Sequence, residues 1–160
     1  FVESYRKLAM LPSPRKEKTE LSELLESCLN IMQPLFKKEQ ITVENSVDFN
    51  RWIFVDKKQM EQVIINLLTN SMYALAEKEV KEITISAEVK EKRIYLIITD
   101  TGTGIDSEIE DKIFLPFFTT RKDGAGIGLT LSKNIIEAHG GYLAFENGEN
   151  QTKFTVCLLE

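Results

Sequence analysis

Ile94-Tyr95-Leu96-Ile97-Ile98-Thr99-Asp100-Thr101-Gly102-Thr103-Gly104 is the stretch on which the fold turns. The residues before Asp100 are β-branched, aromatic or apolar, the composition of a buried strand. Asp100 therefore sits at the mouth of a strand, and two glycines follow it. A carboxylate there can accept a hydrogen bond from a buried ligand, and glycines let backbone come close to that ligand. A polar β-turn accounts for the same letters, because Asp, Thr and Gly are ordinary turn residues. What favours a site is the company: Asn66 and Asn70 upstream, and Gly124-Ala125-Gly126-Ile127-Gly128-Leu129 downstream.

Working outward, residues 82–90 and 93–99 read as strands, and Glu91-Lys92 between them predicts a tight hairpin. Upstream, Asp56 is a good N-cap. The helix behind it carries Met60, Val63, Ile64, Leu67, Leu68, Ala74 and Leu75 on a broad apolar face and runs to about Lys78. Leu21, Leu24, Leu25, Cys28, Leu29, Met32 and Leu35 recur at three and four, which predicts an amphipathic helix over 21–37. Ile41–Asn45 and Trp52–Val55 read as strands, and Thr19-Glu20-Leu21 as a short edge strand. Downstream, Gly128 to His139 reads as a helix ended by Gly140-Gly141. Residues 142–146 and 152–159 form a closing hairpin. Between them, 101–123 has little periodicity yet carries Ile113, Phe114, Leu115, Phe117 and Phe118. Irregular stretches of that length are commonly lids or binding loops. Strands and helices intermixed, with hairpins at the end, predict an α/β two-layer sandwich: one mixed sheet with its helices on one face.

At 160 residues the chain fits one domain of ordinary size, and 42% apolar with 28% charged residues places it among globular proteins. A formal charge of −5 gives no basic field to recruit nucleic acid, so no nucleic-acid partner is expected. Cys28 and Cys157 have no metal or disulfide spacing and read as buried thiols in a reducing compartment. No apolar run approaches the ~20 residues that span a bilayer. The chain opens without Met. Phe1, Tyr5, Leu8 and Leu11 keep helical spacing until Pro12 and Pro14 stop it. Residues 1–16 therefore read as the tail of a longer helix plus a linker, and the chain as a fragment whose parent could carry membrane spans.

Asn66 and Asn70 are four apart and share a helix face. Both could simply face solvent. Together, beside a Leu-rich stripe, they suggest carbonyl oxygens available to Mg²⁺, a hard cation that prefers oxygen ligands. Gly124, Gly126 and Gly128 open directly into a helix, where free amides form an anion site. A flexible hinge explains three glycines nearly as well. Thr119, Thr120, Arg121 and Lys122 precede them, and hydroxyls with two cations suit a triphosphate. The alternative for Arg121-Lys122 is a solvated pair of loop charges.

The order of these segments resembles the GHKL ATP-binding family, and more narrowly the catalytic ATP-binding domain of two-component sensor histidine kinases. The residues that carry it are Asn66-Leu67-Leu68-Thr69-Asn70-Ser71, Asp100 to Ile105, Phe114-Leu115-Pro116-Phe117-Phe118-Thr119-Thr120 and Gly124 to Leu129. The similarity covers roughly 17–160. It implies the Bergerat fold, with a mostly antiparallel sheet and about three helices. It implies a linker and dimerisation-helix tail over 1–16, a kinase domain over 17–160, and a lid at about 106–124. By resemblance, Asp100 would read the adenine amino group. Gly102 and Gly104 would let the purine approach, and Ala74, Ile105 and Leu129 would be apolar walls. Asn70 would be the Mg²⁺ ligand, with Asn66 one turn earlier toward the phosphates of ATP. Gly124, Gly126 and Gly128 would cradle phosphate. Thr152 would reach Asp100 through water, and Phe114 and Phe117 would be exposed lid aromatics that dock on the phosphoacceptor domain.

Two departures qualify that picture. Many family members have a cation three residues after the metal-binding Asn; here the position is Tyr73, and Arg121 or Lys122 would have to compensate. The family phosphorylates a His on a dimerising helix, whereas the single His here, His139, ends a helix and reads as a capping or packing residue. The resemblance thus implies a kinase module, with Asn66 and Arg121 in catalytic roles, that cannot autophosphorylate alone. Its partners would be its own dimerisation and phosphoacceptor domain and, through the full-length protein, a response regulator. The fragment would be a monomer, the parent a homodimer, and the domain cytoplasmic. The alternatives are a GHKL ATPase or serine kinase, or a nucleotide-binding interaction module. Asn66 disfavours hydrolysis, because an amide cannot act as a base toward water.

Overall fold

The computed structural model describes residues 11–115 and 128–159. The chain order is β1 (Glu17–Glu20), α1 (Leu21–Lys38), β2 (Thr42–Asn45), β3 (Trp52–Val55), α2 (Lys57–Leu75), β4 (Glu82–Lys90), β5 (Arg93–Asp100), α3 (Gly128–Ala138), β6 (Tyr142–Gly148) and β7 (Gln151–Leu159). A five-stranded sheet runs β2-β4-β5-β7-β6. Only the β2–β4 pair is parallel, so the sheet is mixed and mostly antiparallel as expected. β1 and β3 pair with each other as a separate antiparallel ribbon, with Glu17 opposite Val55 and Glu20 opposite Trp52.

The alternation in the sequence becomes a one-sided core. Ile94, Leu96 and Ile98 of β5 are buried, and residues between them are only partly so. Register places Ile85 opposite Ile98 on one side and Phe154 opposite it on the other. This apolar face meets Leu24, Leu25 and Met32 of α1, Val63, Ile64, Leu67 and Leu68 of α2, and Leu131, Ile135 and Ile136 of α3. Each fully buried aliphatic side chain contributes about 1.5–3 kcal/mol, so this layer contact dominates stability. Cys28 belongs to it; burial, with the charge of Glu61, pushes its thiol up to about 12 and leaves it unreactive. Among the described residues no helix is long and apolar enough to cross a membrane.

Local chemistry sets the ends. Asp56 caps α2, its Oδ1 accepting from Gln59 N at 3.1 Å. α3 closes with Gly140 N on Glu137 O and Gly141 N on Ile136 O, with Gly140 left-handed at φ +82. Gly141 is obligatory for another reason: a Cβ there would lie 1.9 Å from Cys157 O. The β4–β5 turn uses Glu91 and Lys92, both left-handed, as a two-residue hairpin requires.

α2 stops at Leu75, short of the expected Lys78. Another turn would need Ala74 O to accept from Lys78 N, but that carbonyl instead accepts from Thr103 N at 3.4 Å. Lys78 N falls back on Leu75 O at 3.0 Å, a tighter turn. The loop after β5 thus ends the helix against which it docks.

Candidate functional site

Asp100 closes the inward row of β5 and is 2% exposed. Its cross-strand neighbours are Ile83 and Thr152. Its Oδ1 accepts from Gly102 N at 2.9 Å. Ser71, on α2, approaches the carboxyl without completing a well-formed hydrogen bond. Burial pushes the carboxyl above its usual range, against the opposing pull of the Gly102 N–H and the Ser71 hydroxyl. Three buried polar atoms on the flanking elements lack a partner: Ser71 Oγ and Asn70 Nδ2 of α2 and Thr152 Oγ1 of β7. Such atoms are uncommon in a finished core and mark a place where water or a ligand completes the bonding.

The loop after Asp100 is clamped to the end of α2. A Cβ on Gly102 would lie 2.7 Å from Ala74 Cβ and 2.8 Å from both Ala74 O and Asp100 Oδ1. The glycine is needed first for packing, so that the carboxylate and the helix end can meet. Gly104 is left-handed at φ +77, and a Cβ there would lie 2.7 Å from Asn147 Oδ1. Thr101 Oγ1 accepts from Glu82 N at 3.1 Å and donates to Val80 O at 3.0 Å, which ties the loop to β4. Ala74, Ile105 and Leu129 are all partly buried.

Toward α3, Asn66 Nδ2 donates to Ser132 Oγ at 3.4 Å, and a Cβ on Gly128 would meet Asn66 Cγ at 3.9 Å. The start of α3 therefore lies beside the Asn66–Asn70 face of α2. Tyr73 is exposed on the next turn. Thr119, Thr120, Arg121, Lys122, Gly124, Gly126 and Phe117 lie outside the described residues. Phe114, expected as an exposed lid aromatic, is instead half-buried. Its ring packs edge-on against Phe145 at 6.1 Å, and its carbonyl accepts from Thr130 Oγ1 at 2.6 Å.

His139 is buried and doubly engaged. Nδ1 faces Ile135 O at 2.8 Å, and Nε2 accepts from Asp56 N at 3.0 Å. This is the neutral Nδ1–H tautomer in a structural role, joining the end of α3 to the start of α2. Two residues of the site had no assigned role in the sequence. Ser71 was visible only as the neighbour of Asn70. Asn147 lies between the strands expected at 142–146 and 152–159, yet its Oδ1 accepts from Ile105 N at 2.8 Å.

Residues 55–160 match the family described as histidine kinase-, DNA gyrase B- and HSP90-like ATPases. The chain belongs to that family. It is 32% identical over 142 residues to the C4-dicarboxylate transport sensor protein DctB of Rhizobium meliloti, covering 88% of this chain and 23% of DctB. It is 32% identical over 155 residues to the sensory histidine kinase/phosphatase NtrB of Vibrio alginolyticus, covering 90% of this chain and 44% of NtrB. The chain thus spans less than half the length of these relatives. Among solved structures, the nucleotide-free catalytic domain of histidine kinase ThkA superposes with a TM-score of 0.80 at 31% identity, covering 89% of this chain and 95% of that one. ThkA is also known in complex with the response regulator protein TrrA. The match fixes the sandwich, and the ATP-binding domain of sensor histidine kinases is the family branch to which the chain is similar.

Proposed function

We propose that this chain binds ATP with Mg²⁺ and presents the γ-phosphate for transfer to a histidine on a separate dimerisation and phosphoacceptor domain. The observation that carries the reading is the buried Asp100 carboxyl with two unpaired hydroxyls beside it, Ser71 Oγ and Thr152 Oγ1. An adenine amino group would give Asp100 its missing donor, and water between Thr152, Ser71 and the base would complete the rest. Gly102 and Gly104 would keep backbone close to the purine, with Ala74, Ile105 and Leu129 as apolar walls.

Asn70 would hold Mg²⁺, with Asn66 one turn away toward the phosphates. The donor set fits a cation that takes neutral oxygens from protein and anionic ones from phosphate. When bound, the ion supplies charge neutralisation. Gly124, Gly126 and Gly128 would cradle phosphate, flanked by Thr119, Thr120 and Lys122. Arg121 would supply the charge that Tyr73 lacks. The chain's own contribution is positioning rather than covalent chemistry. His139 is not the acceptor, since both ring nitrogens are engaged in the fold. Asn66, which donates to Ser132, cannot activate water as a base.

In the parent protein, residues 1–16 would be the helix tail and linker, 17–160 the kinase domain and about 106–124 the lid. The partners would be the phosphoacceptor domain and a response regulator, as ThkA is seen with TrrA. The parent would be a homodimer with this domain on the cytoplasmic side of a membrane. Titrating the chain with ATP, with and without Mg²⁺, tests the core of the reading. Saturable binding that weakens without Mg²⁺, and no self-phosphorylation, is the expected result. No binding would sink the reading, and steady release of inorganic phosphate would favour an ATPase.

A further inference from the structure

We infer that Asn147 is a positioning residue that holds the loop on the adenine side and thereby sets the preference for adenine over other bases. The inference rests on the nucleotide-binding reading above. Asn147 stands opposite Thr152 on β7, so it extends the row Ile83–Asp100–Thr152 to the edge of the sheet. Its amide grips both backbone groups of one residue. Oδ1 accepts from Ile105 N at 2.8 Å, and Nδ2 donates to Ile105 O. The same Nδ2 reaches Glu110 Oε1 at 3.1 Å. A primary amide has one carbonyl and two N–H donors, and this one uses its carbonyl and its amide nitrogen on the loop and the short helical turn that follows. The space it fills is the space left by Gly104, where a Cβ would lie 2.7 Å from Oδ1.

Turn chemistry does not account for this asparagine. Gly148 and Gln151 are paired, so the turn residues are Glu149 and Asn150, and Asn150 carries the left-handed φ of 56. That second asparagine accepts from Lys78 Nζ at 2.9 Å, beyond the end of α2. The β6–β7 hairpin thus holds the Asp100 loop through Ile105 and the connection after α2 through Lys78. A segment with two glycines is otherwise free to sample many conformations, and ordering it on binding costs affinity. Asn147 orders it beforehand. The benefit falls at the base end of the ligand, because Gly102 to Ile105 adjoin Asp100, while Asn66 and Gly128 lie along the α2–α3 side.

The test titrates the 160-residue chain, its Asn147→Ala variant and its Asn147→Asp variant with ATP, ADP and GTP, alongside thermal unfolding without nucleotide. Asn147→Ala should weaken ATP about tenfold and GTP little, so the ATP-to-GTP preference falls about tenfold. The ATP-to-ADP ratio should stay as in the wild type. Asn147→Asp keeps an acceptor for Ile105 N–H but turns a carboxylate toward Ile105 O and Glu110, and should lose at least as much preference. A residue that served only the fold would lower the unfolding temperature and scale ATP and GTP binding alike. That unchanged ratio in the Asp variant overturns the inference even where the Ala variant does not fold. A wild-type chain that binds no nucleotide overturns the underlying reading and this inference with it. A wild type that binds ATP, with variants that match its preference, overturns this inference alone.

Discussion

The two ends of α2 carry polar clusters in opposite condition. At the N-terminal end nearly everything is paired. Asp56 Oδ1 accepts from Gln59 N and Oδ2 from Arg15 N; Asp56 N donates to His139; Gln59 Nε2 donates to Pro12 O. Among the described residues at this end, Gln59 Oε1 is the one buried side-chain atom without a partner. At the C-terminal end, Asn70, Ser71 and the facing Thr152 each keep a buried polar atom unpaired, and Asp100 has one backbone donor. The two carboxylates register the difference. At Asp56, burial is outweighed by the N–H groups of Arg15, Gln59 and Lys58, and its carboxyl falls below the usual range. At Asp100 burial wins and the carboxyl rises. A satisfied cluster stabilises the fold; an unsatisfied one waits for a ligand.

The largest effect should come from Asp100→Asn. Replacing the acceptor by an amide that presents N–H to the adenine amino group should weaken ATP about 100-fold, the scale of an interaction with a charged group. The unfolding temperature of the ligand-free chain should hold or rise, because the variant removes an ill-solvated carboxylate. Calorimetric titration with thermal unfolding checks both; a loss of stability comparable to the loss of binding would break the contrast between the two ends.

Gly102→Ala should couple what the first variant separates. The new methyl must displace Ala74 or the Asp100 carboxylate, at a cost of about 1–3 kcal/mol typical of overpacking. Both unfolding temperature and ATP affinity should fall. At the other end, Asp56→Ala should cost about 1 kcal/mol of stability, the usual worth of an N-cap, or about 2–4 °C in a chain of this size. ATP affinity of the folded fraction should be unchanged, measured well below the unfolding transition.

The satisfied end was the more legible one. Asp56 before an apolar-periodic run announces a cap, and Gly140-Gly141 a helix end, because these signals act over a few residues. The inward row of β5 was legible for the same reason, alternation being local. The stop at Leu75 was not, because Ala74 O is claimed by Thr103, a residue from another element. The β1–β3 ribbon was likewise hidden: Thr19-Glu20-Leu21 and Trp52–Val55 each read as strands, but the strand at Glu17–Glu20 and its pairing apart from the main sheet are a tertiary choice. Asp100, Asn66 and Asn70 stood out as polar residues beside apolar runs. Ser71 and Asn147 did not, since a serine in a helix and an asparagine before glycine have ordinary local explanations. The half-buried position of Phe114 depends on Phe145 and Thr130, far along the chain.

The smallest effect, and the one that sharpens the contrast most, is its pH dependence. Asp100 has a folded value raised above the unfolded one of about 3.9. Its contribution favours the fold below the unfolded value and is lost as pH rises through the folded value. Asp56 has a folded value below the same reference, so its contribution is present above about 3.9 and is lost as pH falls through its folded value. On acidification of the ligand-free chain, the Asp100 contribution should therefore return above pH ~4, as pH falls through its raised folded value, before the Asp56 contribution disappears below pH ~4. Unfolding free energy measured by denaturant across this range should lose its upper inflection in Asp100→Asn and its lower one in Asp56→Asn. ATP affinity should decline through the upper inflection only, because protonating Asp100 removes the charged acceptor while Asp56 lies at the opposite end of the helix. An affinity that instead followed the lower inflection would place the nucleotide-sensing carboxylate at the wrong end of α2.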